Sequence, residues 1–326
     1  MFSHFANLIR CSATSAVLLA LSASNFAADS TIRGGALNTR TNDVRRQFTL
    51  TAKANWQLNI TQRFDASALA FRGGKLITVN DRDGVLYELE LQTNSVAALK
   101  RLDLFPRPVL ARVTPKKATR FDFEGIAVDP AGNIYVSEES QRLVFKSSSD
   151  GKNVDALAFD WAPVERFISN DINASLEGIA VLGDRLFLAN ERSAPRIFVI
   201  DLPSRKIIDS FAVDSLGFAF GGAHYSDLSV FEDHLFILDR NHRCIFEVDP
   251  VSKRVLAEYS FAQMELTEDV AYFSDYPTGA MEGLAIDRDY FWLLTDNNGK
   301  ARFKHPKDNR PTLFQCPRPL ATAPKR

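Results

Sequence analysis

Apolar and polar positions alternate in short bursts along most of the chain, and the bursts recur. A segment that opens on a polar residue and runs on through small and apolar ones appears five times: Ser67-Ala68-Leu69-Ala70-Phe71, Glu124-Gly125-Ile126-Ala127-Val128, Glu177-Gly178-Ile179-Ala180-Val181, Ser226-Asp227-Leu228-Ser229-Val230 and Glu282-Gly283-Leu284-Ala285-Ile286. The copies are spaced by about 54 residues, close to the length of a propeller blade. A fuller apolar run follows each, at residues 76–80, 134–138, 186–190, 235–239 and 291–296. These runs are apolar on both faces, as strands between neighbouring sheets must be. Third strands follow at 86–89, 143–145, 197–200 and 245–248, and more polar fourth strands fit at 156–159 and 256–259. Asp83-Gly84, Pro130-Ala131-Gly132-Asn133 and Gly183-Asp184 supply the turns between strands.

The repeating unit is therefore a four-stranded antiparallel blade, and the fold class is all-β, a single β-propeller. Five blades use up the repeat. The last blade needs an outer strand, and Trp56-Gln57-Leu58-Asn59-Ile60 stands before the first blade with nothing else to pair with. It is expected to close the ring. A sixth, irregular blade built from both termini is the alternative, because 300–316 contains two further possible strands. The domain reading is a signal peptide over 1–28, a loose segment over 29–47, the propeller over 48–316 and a tail over 317–326.

The N-terminal reading rests on His4 and Arg10, the apolar stretch Ala16-Val17-Leu18-Leu19-Ala20-Leu21, and the small residues Ala27-Ala28 before Asp29. It implies a secreted or periplasmic protein. The apolar stretch falls short of the ~20 residues of a membrane span, so the mature chain should be soluble, and it is expected to act as a monomer. Export would place Cys244 and Cys316 in an oxidising compartment, as a pair or as buried thiols. Lys and Arg total 39 against 40 Asp and Glu, which leaves no basic field for a nucleic-acid partner. Three Cys in 326 residues argue against structural zinc.

Candidate chemistry lies in the repeated acids. Glu124, Glu177 and Glu282 hold one register, the first residue of the innermost strand, and Asp227 comes one position later in its copy. The geometry of a propeller sends them toward one mouth of the central channel, where like charges repel unless something neutralises them. An oxygen-ligated cation, Ca2+ first, would do so with Glu124, Glu177, Asp227 and Glu282 as ligands. In the competing reading these carboxylates accept backbone amide hydrogen bonds and lock the blades together.

A second polar set ends the second strands on the same rim: Asn80-Asp81-Arg82, Glu138-Glu139, Asn190-Glu191-Arg192, Asp239-Arg240 and Asp296-Asn297. Arg142, Arg196 and Arg243 open the third strands. They fit either an intrablade ion pair or a guanidinium fork for a phosphate or carboxylate ligand. His224 is the histidine nearest this rim, and the long connections of the propeller enter here. There is no GxSxG elbow, no phosphate-binding GxxxxGKS/T loop and no HExxH helix. Any hydrolysis would use a metal-activated water with a carboxylate base.

The phrases Phe123-Glu124-Gly125-Ile126-Ala127-Val128-Asp129 with Ile134-Tyr135-Val136-Ser137-Glu138-Glu139, and Leu176-Glu177-Gly178-Ile179-Ala180 with Leu188-Ala189-Asn190-Glu191, resemble the exported "esterase-like activity of phytase" family over about residues 60 to 300. That resemblance implies a propeller with phosphoesterase-like activity on a small or phosphorylated substrate. It implies Glu124, Glu177 and Glu282 as active groups, with Glu138, Glu139, Glu191 and Asp239 beside them on the rim. Glu177, Glu138, Glu191 and Asp239 are the expected catalytic set, and Arg142, Arg196, Arg243 and His224 the expected ligand-binding set. Ser67 and Asp227 depart from the pattern, so the acid ring is incomplete. A non-catalytic propeller that binds a sugar, peptide or protein, and a lactonase-type hydrolase, are the alternative functions.

Overall fold

The computed structural model describes residues 45–319, apart from 116–119, 172, 193, 214, 216–218 and 274–277. The signal-peptide reading and the end of the tail lie outside these residues.

Short β-rich repeats with tight turns fold here as consecutive antiparallel sheets. Two strands come first, β1 (Arg46–Thr49) and β2 (Ala54–Leu58). The first sheet is β3 (Ala66–Arg72), β4 (Lys75–Asn80), β5 (Val85–Leu91) and β6 (Val96–Leu102); the second is β7 (Phe123–Val128), β8 (Ile134–Glu138), β9 (Leu143–Ser147) and β10 (Val154–Leu157). The third is β11 (Leu176–Leu182), β12 (Arg185–Asn190), β13 (Arg196–Asp201) and β14 (Lys206–Phe211); the fourth is β15 (Tyr225–Phe231), β16 (His234–Asp239), β17 (Cys244–Val248) and β18 (Val255–Ser260). The fifth has three strands of its own, β19 (Met281–Ile286), β20 (Tyr290–Thr295) and β21 (Thr312–Pro317).

Its outer strand is β2, antiparallel to β21 with Trp56 opposite Leu313. The segment before the first repeat thus closes the last sheet. β2 also touches the first sheet, running parallel to β6. β1 adds itself in parallel to the outer edge of β18, so ordered pairing begins at Arg46, inside the stretch read as a loose segment. Residues 300–310 form no strand beyond one isolated bridge between Tyr272 and Arg302.

The innermost strands close a cycle: β3 packs on β7, β7 on β11, β11 on β15, β15 on β19, and β19 on β3. Glycine makes this approach possible. A Cβ on Gly178 would stand 2.4 Å from the Asp227 backbone, and one on Gly125 would stand 2.5 Å from the Glu177 carbonyl oxygen. Between sheets the second strands are buried beyond their first residue, with Phe187, Ile237 and Leu293 fully enclosed. The core is therefore a series of apolar layers between sheets, which is why the second strands read as apolar on both faces.

Each innermost strand carries a register shift at its first residues, at Ser67, Glu124, Glu177-Gly178, Ser226 and Glu282. Such a bulge inserts an unpaired residue and re-aims its side chain. This fixes which residues face the channel mouth.

Candidate functional site

Three sets of equivalent positions meet at this mouth. The bulge set is Ser67, Glu124, Glu177, Ser226 and Glu282. A second set follows each second strand, and its backbone N–H bonds back to a third set just before the bulge: Asp81 to Asp65, Glu139 to Asp122, Glu191 to Ser175, Arg240 to His224 and Asp296 to Ala280. One backbone bond, made five times, presents five different pairs of side chains.

Two junctions gather potential ligands. Between the first and second sheets, ligand atoms of Asp81, Asp122 and Glu124 lie within 4.8 Å of one another, and so do those of Glu177, Glu191 and His224 between the third and fourth. In the first group Asp81 Oδ1 is buried and has no hydrogen-bond partner among the described residues. Burial, then the charges of Asp296, Asp65 and Asp122, push its carboxyl up to about 7. Glu124 is pushed well up by burial and by Asp81, Glu139 and Asp122, against a hydrogen bond with Ser67. Glu139 accepts the Ser175 N–H at 2.9 Å, and burial drives it up to about 8, with Glu191 and Asp122 adding to the push.

In the second group Glu191 Oε1 stands 2.6 Å from His224 Nε2 and 2.9 Å from Arg192 Nη1. Burial and the Arg240 charge lower His224 to about 4, with the Glu191 contact opposing them, so the imidazole is neutral. Glu177 is pushed far up by burial and by Glu191, Glu124 and Glu139, while Arg240 pulls the other way. Arg240 itself is ion-paired with Glu282.

The other expected ligands are held apart from both groups. Asp227 follows the bulge instead of occupying it, and the bulge position in its copy is Ser226, whose hydroxyl donates to the Met281 carbonyl at 3.0 Å. Asp227 Oδ2 accepts from the N–H groups of Leu284 (2.7 Å) and Leu69 (3.2 Å), and Oδ1 accepts from that of Leu228 (2.8 Å). It ties three inner strands together at the axis. Glu282 faces Arg240 rather than other acids. Of the four carboxylates expected to share an ion, the structure brings only Glu124 and Glu177 into converging groups, one into each.

Glu138 and Asp239 also have their oxygens engaged. Glu138 accepts from Asp122 N–H (3.2 Å), Ser140 Oγ (2.5 Å) and Gln141 N–H (2.8 Å). Asp239 accepts from the N–H groups of His224 and His242 and lies 2.8 Å from His242 Nδ1. Both shape the turn between second and third strands.

Arg142 donates to the Ser169 carbonyl, Arg196 to Ser210, and Arg243 to Glu265 and the Thr278 carbonyl. Arg142 and Arg243 bind connections to the blades, whereas Arg196 bonds to the neighbouring strand of its own blade. The guanidiniums at the acid groups are instead Arg120, on Asp122, and Arg192, on Glu191.

Asp122 was missed by reading the sequence, and Asp81 and Arg240 stood there only as members of a polar rim. The available signal was the acid two residues before Glu124 and the charge immediately after every second strand.

The sequence profile described as phytase-like, esterase-like activity of phytase, matches residues 64–299. No curated protein matches the chain by sequence. Among solved structures, glutaminyl cyclase of Myxococcus xanthus is similar in fold at TM-score 0.57 and 12% identity, covering 83% of this chain and 97% of its own. A streptogramin B lyase is more distant, at TM-score 0.40 and 12% identity over 81% of this chain and 74% of that one. Virginiamycin B lyase of Staphylococcus aureus also scores 0.40, at 11% identity over 77% and 66%.

Proposed function

The chain belongs to the phytase-like family, and from that premise we propose that its acidic mouth binds Ca2+ and hydrolyses esters, phosphate esters first, in an exported protein. The observation that carries this reading is the convergence of Asp81, Asp122 and Glu124 with a buried, unpartnered oxygen on Asp81. An all-oxygen, all-anionic donor set suits a hard cation. Bound there, the ion would polarise the phosphoryl or acyl oxygen and relieve the carboxylate repulsion.

The chain's own side chains supply the rest. Glu139, pushed up to about 8, would hold its proton at neutral pH and give it to the departing oxygen, while the attacking water loses its proton to solvent. Arg120 and Arg192, each about half exposed at the lip, offer donors to an anionic substrate oxygen. A cavity of about 360 Å3, with Arg240, Asp296 and Asn297 in its wall, lies at the junction of the fourth and fifth sheets. No helix among the described residues is long and apolar enough to cross a membrane. Cys244 and Cys316 are free and buried, and burial raises both thiols, Cys316 to about 12, which would keep them unreactive in an oxidising compartment.

The test is calorimetric titration of the metal-stripped protein with Ca2+, followed by hydrolysis of p-nitrophenyl phosphate and p-nitrophenyl acetate. Saturable binding that is lost in Asp122→Asn, with turnover that falls in Glu139→Gln, supports the reading. Ca2+ binding without turnover of any ester would leave a binding propeller in its place.

A further inference from the structure

The two converging groups are versions of one junction. In each, the residue just after a second strand meets the residue that leads into the next sheet, Asp81 with Asp122 and Glu191 with His224, and a bulge acid completes the set, Glu124 from the following sheet at the first junction and Glu177 from the preceding sheet at the second. At the third-to-fourth junction a carboxylate is thus replaced by an imidazole, which changes the donor set from three oxygens to two oxygens and a nitrogen. We propose that Glu177, Glu191 and His224 form a second cation site, chemically distinct from the hard-cation site, that takes a first-row divalent ion of the Zn2+ or Mn2+ class.

The argument does not depend on ester hydrolysis. Imidazole with carboxylates suits borderline ions, whereas Ca2+ is held by oxygen ligands. Glu191 is 97% buried, being 3% exposed. Its Oε1 meets His224 and Arg192, but its Oε2 has no hydrogen-bond partner among the described residues. An anionic oxygen buried without a donor is costly unless a cation completes it. The nearby guanidiniums do not reach it: Arg192 contacts the other oxygen and spends its second nitrogen on the Asn173 carbonyl, and Arg240 is paired with Glu282.

His224 is placed by its backbone. Its N–H donates to Asp239 Oδ1 at 3.2 Å and its carbonyl accepts from Arg240 at 3.1 Å, so the turn residue Asp239 acts as a positioning residue for the imidazole. With its orienting groups fixed, this junction differs from the one between the fourth and fifth sheets, where Arg240 and Ala280 leave nothing to coordinate.

The experiment uses the metal-stripped full chain, titrated with Zn2+ against a chromogenic chelator in the presence and absence of millimolar Ca2+. One Zn2+ per chain, retained in excess Ca2+, is expected. Glu191→Gln, which keeps the shape, and His224→Asn should each weaken it by at least about 10-fold, while Ca2+ binding stays as in wild type. Asp122→Asn should do the reverse. Circular dichroism checks that each variant is folded. If either site variant unfolds, the 15N shift of the His224 ring nitrogen in the wild-type protein during Zn2+ titration gives the answer, since direct ligation moves a coordinated nitrogen far more than a nearby charge does.

Absence of saturable Zn2+ binding overturns the proposal. So does binding of unchanged affinity in both Glu191→Gln and His224→Asn, or binding lost only in Asp122→Asn. Failure of ester turnover alone would overturn the hydrolase reading and leave this one standing.

Discussion

The two ends of the central channel are built from the same five strands and differ in almost every physical respect. At one end stand the bulge residues and the charged pairs of the mouth. At the other is a cavity of about 590 Å3 lined by Ile126, Val128, Ile179, Val181, Leu228 and Val230. Asp227, bonded to three strands, stands between them. The far end repeats faithfully, since every copy places aliphatic side chains there and packing satisfies them. The mouth repeats only its backbone, with the side-chain pairs Asp–Asp, Glu–Asp, Glu–Ser, Arg–His and Asp–Ala on one recurrent hydrogen bond. Repetition in this molecule marks what holds it together, and departure from repetition marks where ligand chemistry can be placed.

The sharpest way to break this division is at its boundary. Asp227→Ala strands three buried amide donors, and at 1–3 kcal/mol for each unsatisfied group it should cost about 4 kcal/mol in urea unfolding. A loss below about 1 kcal/mol would show that the axis is not held by this carboxylate. At the far end, Ile179→Ala removes a fully buried aliphatic side chain and should cost about 3 kcal/mol without changing the Ca2+ affinity of the mouth.

At the mouth the same measurements should respond to pH. Asp81 and Asp296 are raised to about 7 and Glu139 to about 8, above their unfolded values. The folded state therefore binds more protons, and the stability these groups contribute is lost as pH rises through 7 to 8. Between pH 6.5 and 9 the metal-free protein should lose about 5 °C in Tm, and Ca2+ should suppress that loss. A Tm that rises over the same interval would contradict the assignment. The smallest effect is expected for Glu124→Gln. Relief of repulsion should leave metal-free stability within about 1 kcal/mol of wild type or slightly above it, while the stabilisation by Ca2+ disappears.

The architecture was legible because blades leave a strong imprint: both faces of a second strand are buried, so residues such as Leu186-Phe187-Leu188 read as continuous apolar runs. The closing role of the segment at Trp56 followed from counting strands. The bulge was not legible. It re-aims only the residue inserted into the register, so the one-position offset of Asp227 from Glu124, Glu177 and Glu282, plain in the sequence, did not reveal that Ser226 takes the bulge while Asp227 turns to the backbone amides. Nor was the direction of side chains at the ends of second strands, which depends on turn geometry. Glu138 and Glu139 are adjacent and alike in the sequence, yet one accepts turn amides and the other joins the acids of the mouth. Turn geometry also sets the direction of the arginines, for which the sequence left an ion pair within the blade and a ligand fork both open. Arg142 and Arg243 sit at positive φ in their turns, which directs them to the connections rather than the channel.

The closing strand has a consequence for how the molecule is made. β2 emerges from the ribosome before the first sheet, and its antiparallel partner β21 is the last of the described strands to follow, so the ring cannot be completed until β21 has been made. In the interval an unpaired strand would be an aggregation hazard. Its second, parallel pairing with β6 offers a berth on the first sheet, where β2 can wait through some two hundred residues of synthesis with one edge already covered.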